Sequence, residues 1–135
     1  MSEVIRPDKA EIINTLKNIT GLELAILFGS FASGKVHAGS DIDLAIALEK
    51  PIESQRLAGL AGQLSLELKR EIDLHDLHTS EGLIFKKIMT TGKLIINNNP
   101  AMYDTLFLKC MHYISDFLPY QMRIFDTRRM QWIKK

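Results

Sequence analysis

One cysteine, Cys110, stands in a chain of 135 residues, so no internal disulfide framework holds this protein together. Its stability has to come from packing. The chain also lacks any apolar run approaching the roughly 20 residues that cross a bilayer, and its opening residues show no charged-then-apolar leader. A soluble protein working in a reducing cytoplasm is the expectation. Charge of one sign is missing as well: 17 basic residues face 16 acidic ones, a net of +1, which excludes a whole-protein surface for polyanions. Any basic feature must be local. The segment after Pro119 is one, with Arg123, Arg128, Arg129, Lys134 and Lys135 against Asp126 alone, a net +4 where the rest of the chain sums to −3. It reads as a solvated end or as a dock for an acidic partner or RNA. There is no internal repeat and no low-complexity tract.

What is present suits one domain, long enough to bury roughly two-thirds of its unfolded surface and too short for a second catalytic domain. Pro7 and Asp8 suit a helix start, and Ala10, Ile13, Leu16 and Lys17 fall near helical spacing, so a first helix is expected over 7–19. The apolar run 22–28 is short and bounded by turn residues, which favours a buried strand. Over 53–70, Leu57, Leu60, Ala61, Leu64 and Leu68 recur at three- and four-residue steps, an amphipathic helix on a sheet; Gly59 and Gly62 weaken it but permit close approach. Residues 71–77 alternate polar and apolar, a half-buried strand with Asp73 and His75 on one face and Ile72 and Leu74 on the other. Ser80 is expected to cap a helix over 80–91 with Leu83, Ile84, Ile88 and Met89 as its stripe and Gly92 at its end. A short strand is expected at 94–96.

Asn97-Asn98-Asn99-Pro100 is the clearest break in the chain. Beyond it, Tyr103, Leu106, Phe107, Cys110, Ile114, Phe117 and Leu118 form a helical stripe rich in aromatics, which Pro119 ends or kinks. That stripe is either core or an interface, since a sheet already covered by helices has little space for another. Cys110 reads as core.

The chemistry concentrates in one stretch. A strand ends at Phe28, Gly29-Ser30 turns, ten residues intervene, and Asp41-Ile42-Asp43 opens the next apolar run, 42–48. Strand alternation points Asp41 and Asp43 the same way, with Ile42, Leu44 and Ile46 opposite. Two carboxylates on one face repel and are costly to bury unpaired, so they call for a cation, and clustered carboxylate oxygens are what Mg²⁺ prefers. Gly29 removes the Cβ that would hold a phosphate off the backbone, while Ser30, Ser33 and the amides that follow can donate to an anion. A short helix opened by Ser30 would add its amide end. The loop 36–40, bordered by Gly34 and Gly39, returns the chain to the sheet. Lys35 either pairs with phosphate or solvates the loop. His37, His75 and His78 fit no closed metal pattern, which leaves His75 at most a supporting role.

Gly29-Ser30, ten residues, then Asp41-Ile42-Asp43 resembles the signature of the polymerase-β-type nucleotidyltransferases, and the short chain around it resembles their minimal nucleotidyltransferase branch. The resemblance covers roughly residues 8 to 98. It implies an α/β (α+β) fold: a small mixed sheet flanked by helices as a nucleotidyltransferase domain over 1–98, and a helical extension over 99–135 that packs on the domain or on a partner. It also implies two Mg²⁺ ions held by Asp41 and Asp43 and bridging the triphosphate of ATP, with Gly29, Ser30, Lys35 and Ser40 on the nucleotide side. A third carboxylate must serve the nucleophile's side. Asp73, on the next strand, matches the position of the family's third acidic residue, and Asp76 is its rival. Minimal nucleotidyltransferases are typically partners of HEPN-domain proteins, and similar members are antitoxins that transfer AMP to a tyrosine of the cognate RNase toxin. A magnesium-dependent protein adenylyltransferase in a hetero-oligomer with a HEPN toxin is thus the leading expectation. A binding-only antitoxin and an enzyme acting on a small hydroxyl compound are the alternatives.

Overall fold

The computed structural model describes residues 9–29 and 41–117, together with residues 119, 120 and 123. Among these, four strands form one sheet: β1 (Leu24–Phe28), β2 (Ile42–Ala47), β3 (Ile72–Asp76) and β4 (Lys93–Asn97). Their spatial order is β3-β2-β1-β4. β1 is antiparallel to both neighbours, and β2 pairs with β3 in parallel. The parallel pair needs a crossover, which α2 (Ser54–Leu68) provides. The remaining helices are α1 (Lys9–Leu16), α3 (Gly82–Thr91) and α4 (Pro100–His112).

Of the two inner strands, β1 is an unbroken apolar run and β2 is interrupted only at Asp43, because both faces of the sheet are covered. On one face Ala25, Leu27, Ile42, Leu44, Ile46, Ile72 and Leu74 pack against Ile12 and Leu16 of α1 and Leu64 and Leu68 of α2. On the other, Leu24, Ile26, Phe28, Ala45 and Ala47 meet Phe85, Ile88 and Met89 of α3 and Leu106 and Cys110 of α4. A fully buried side chain such as Phe85 contributes about 1.5–3 kcal/mol on this scale.

Three helix faces differ from the expected stripes. In α1 the buried pair is Ile12 and Leu16, Ile13 is only partly covered, and Ala10 and Lys17 face solvent. In α3 Phe85 takes the core position, while Leu83 and Ile84 are exposed. Ser80 does not cap α3: Glu81 holds that position, and the Ser80 hydroxyl donates to the Asp76 carbonyl at 2.8 Å. In α2 the glycines serve no close contact, since a Cβ at Gly59 or Gly62 would meet nothing within 4 Å. Gly92 does end α3, but for reasons of space. Its backbone is extended, and an added Cβ would overlap Ile26 of β1.

The two ends of β3 are pinned by side chains. Ser65 Oγ donates to the Ala61 carbonyl at 2.8 Å and accepts from Ile72 N at 3.2 Å, tying the last turn of α2 to the start of β3. At the other end Asp76 is buried, its two carboxylate oxygens accepting from Ile52 N at 2.8 Å and His78 N at 3.0 Å. α4 starts cleanly, with Asn99 accepting from Met102 N at 3.1 Å and Pro100 in the first turn. Half of its aromatic stripe is core. Phe107 and Leu108 are exposed, as are Phe117 and Tyr120 beyond it. A π-helical turn over Tyr113–Phe117 widens the helix just ahead of Pro119, and Pro119 and Tyr120 are themselves helical. No helix among the described residues is long and apolar enough to cross a membrane.

Candidate functional site

The sheet register assembles the site. Asp43 on β2 stands opposite Phe28 on β1 and alongside Asp73 on β3. The alternation that sends Ile42 and Leu44 into the α1–α2 layer turns Asp43 and Asp73 to the other face. There the two carboxyl groups stand near enough for each to bear on the other's protonation. The chain leaves β1 beside them at Gly29, whose φ of +74° favours glycine, and a Cβ there would overlap Asp43 Oδ2.

Burial raises the Asp43 pKa above the usual carboxylate value of 3.8, and the charge of Asp73 adds to the rise. Lys87 on α3 works against it, the hydrogen bond with Asp73 raises it further, and His75 lowers it. His75 Nε2 lies 3.3 Å from Asp73 Oδ2, and its ring leans on Phe28 with centroids 5.5 Å apart. Asp41 stands one residue ahead of β2, exposed. Among the described residues no three histidine, cysteine or acidic side chains are gathered at metal-ligand spacing. Asp43 and Asp73 come together across β2 and β3, and Asp41 lies two residues ahead of Asp43, just before the strand begins. Asp76 lies on the opposite face, engaged by Ile52 and His78, and is no rival to Asp73.

Ser30, Lys35, His37 and Ser40 lie outside the described residues, as do the short helix expected at Ser30 and most of the basic tail. Lys87 is the residue near the site that the sequence did not single out. No local motif marks it, because its nearness to Asp43 follows from α3 lying on this face of the sheet.

A divalent cation suits this donor set. Two carboxyls pressed together on a half-buried face supply oxygen ligands, and their mutual repulsion is what such a cation relieves. The missing Cβ at Gly29 is what lets the Asp43 carboxylate lie directly against the backbone at the end of β1.

Residues 10–101 match the family described as Polymerase beta, Nucleotidyltransferase. Over 84 residues the chain is 34% identical to the Protein adenylyltransferase MntA of Shewanella oneidensis; the aligned stretch covers 62% of this chain and spans 60% of that relative's length. A toxin–antitoxin crystal structure with AMP-PNP contains a similar chain, at 26% identity and a TM-score of 0.79, covering 90% of this chain and 98% of that one. The same fold recurs in a complex of tri-AMPylated Shewanella oneidensis HEPN toxin with MNT antitoxin, at 23% identity and a TM-score of 0.72, covering 90% of this chain and 95% of that one.

Proposed function

This chain belongs to the polymerase-β nucleotidyltransferase family, and on that premise we propose that it transfers AMP from ATP to a tyrosine hydroxyl of a HEPN RNase toxin, silencing it as a cytoplasmic antitoxin. The observation that carries the reading is the Asp43–Asp73 pair set against the Gly29 bend. The name of the 34%-identical relative, a protein adenylyltransferase, and the toxin–antitoxin neighbour with AMP-PNP support the same donor and the same kind of partner.

In this reading Asp41 and Asp43 would hold the Mg²⁺ ions, with Asp73 as the carboxylate on the acceptor's side. When bound, these ions neutralise the triphosphate and acidify the acceptor hydroxyl. Asp73, the more exposed member of the pair, takes the tyrosine proton. The tyrosine oxygen bonds to the α-phosphorus as the bond to the β-phosphate oxygen breaks, and pyrophosphate leaves. Gly29 admits the phosphates, Ser30 and Ser40 donate to them, and Lys35 offsets their charge. The nucleotidyltransferase domain is assigned to 1–98 and the extension that presents the acceptor to 99–135, where Phe107, Leu108, Phe117 and Tyr120 offer an apolar face to the toxin.

That exposed face also favours a second reading, in which the protein occludes the toxin without chemistry. Incubation with ATP labelled at the α-phosphate, Mg²⁺ and the co-encoded HEPN protein separates the two. Label on the HEPN protein, lost in the Asp41→Asn/Asp43→Asn variant, is the expected result. Inhibition of the RNase without any label supports occlusion.

A further inference from the structure

We infer that His75 is a positioning residue that holds the Asp73 carboxylate in place for the metal, an inference that rests on the site reading above. β3 is the edge strand of the sheet, and the Asp73 side chain is 59% exposed, which leaves it room to turn away from Asp43. His75 lies two residues on along the same strand and the same face, with only 28% of its side chain exposed. Its Nε2 is 3.3 Å from Asp73 Oδ2, within reach of a ring N–H that donates to the carboxylate oxygen.

The ring is held in turn. It rests on Phe28 at a 58° tilt, and Phe28 is a buried residue of β1 that stands opposite Asp43 in the register. One continuous set of contacts therefore runs from β1 through Phe28 and His75 to Asp73, while Asp43 pairs with both Phe28 and Asp73 across the sheet. A carboxylate fixed by a donor on one oxygen keeps the other oxygen free and aimed. Groups that orient ligands in this way typically change metal affinity by 10–100-fold when removed.

The test is Mn²⁺ binding followed by electron paramagnetic resonance on the full chain with a non-hydrolysable ATP analogue, alongside thermal unfolding without metal. His75→Leu removes the donor and is expected to weaken Mn²⁺ binding about 10–100-fold. His75→Gln restores an amide donor near the Nε2 position and is expected to bind closer to wild type than to His75→Leu, whatever either change does to the unfolding temperature. Wild-type Mn²⁺ affinity in His75→Leu, or equal losses in the two variants, overturns the inference. Asp73→Asn keeps it distinguishable from the reading beneath it. Affinity lost in Asp73→Asn but kept in His75→Leu overturns the role of His75 alone, and affinity kept in Asp73→Asn overturns both.

Discussion

The Gly29 backbone lies against the Asp43 carboxylate with no room for a single carbon between them. At φ +74° a β-carbon would be strained as well as displaced into Oδ2. Gly29→Ala is therefore expected to cost about 1–2 kcal/mol of stability from the left-handed backbone alone. It should also push Asp43 off its pairing with Asp73. Urea unfolding measures the first effect, and titration of the ATP analogue with Mg²⁺ the second. Nucleotide binding at wild-type strength in this variant would count against the site.

Burial and the neighbouring Asp73 hold the Asp43 pKa above 3.8. A raised pKa in the folded state means that this group's contribution to stability is present below the unfolded value and lost as the pH rises through the raised one. Metal-free Asp43→Asn protein is expected to lose less stability than wild type as the pH rises from the unfolded carboxylate value of 3.8 through the raised one. Thermal unfolding in EDTA across that range reads it directly, and parallel profiles would contradict the assignment. Mg²⁺ with the ATP analogue should then raise the unfolding temperature of wild type and leave the variant where it was.

The residues that announce themselves locally were readable before any coordinates. Strand alternation alone puts Asp73 and His75 on one face and separates them from Asp76. The apolar runs on either side of the Gly-Ser turn are buried strands, as their composition implies. The stripes of α1 and α3 were harder to read, because an apolar residue at helical spacing does not say which of two neighbouring faces meets the sheet. Leu83 and Ile84 compete with Phe85 for that role, and it is the larger ring that joins the core on the face of Phe28 and Ala45. Ser80 satisfies a capping pattern, yet its hydroxyl finds a nearer acceptor at the end of β3. Lys87 could not be placed beside Asp43 without the packing angle of a helix some forty residues further on.

Gly59 and Gly62 weaken α2 with no packing return, as both would carry a methyl group in open space. Replacing either by alanine is expected to stabilise the fold by about 0.5–1 kcal/mol. The urea midpoint should rise with activity unchanged. A fall in stability would mean that a side chain at these positions does meet part of the fold, contrary to the open space around them.

The exposed apolar residues beyond the core of α4 support a prediction about partners. Leu108 and Phe117 are 59% and 60% exposed. A Leu108→Glu/Phe117→Ser double variant should shift stability by no more than about 0.5 kcal/mol per site, as ordinary surface changes do. Loss of a central interface anchor typically costs about 2 kcal/mol or more in binding. Co-purification with the HEPN protein and calorimetric affinity check it. Unweakened binding would move the interface elsewhere.

Because β3 joins β2 in parallel, no hairpin can bring them together. The chain must travel out through α2 and back before Asp73 arrives, and pairings of such sequence separation are slow to form. A nascent chain that has just emerged past Asp43 carries the recognisable signature yet lacks Asp73, the carboxylate that the sheet sets alongside Asp43. In the proposed site the carboxylates are in this way brought together only once synthesis has passed β3, so a truncated product is expected to be inert rather than partly active.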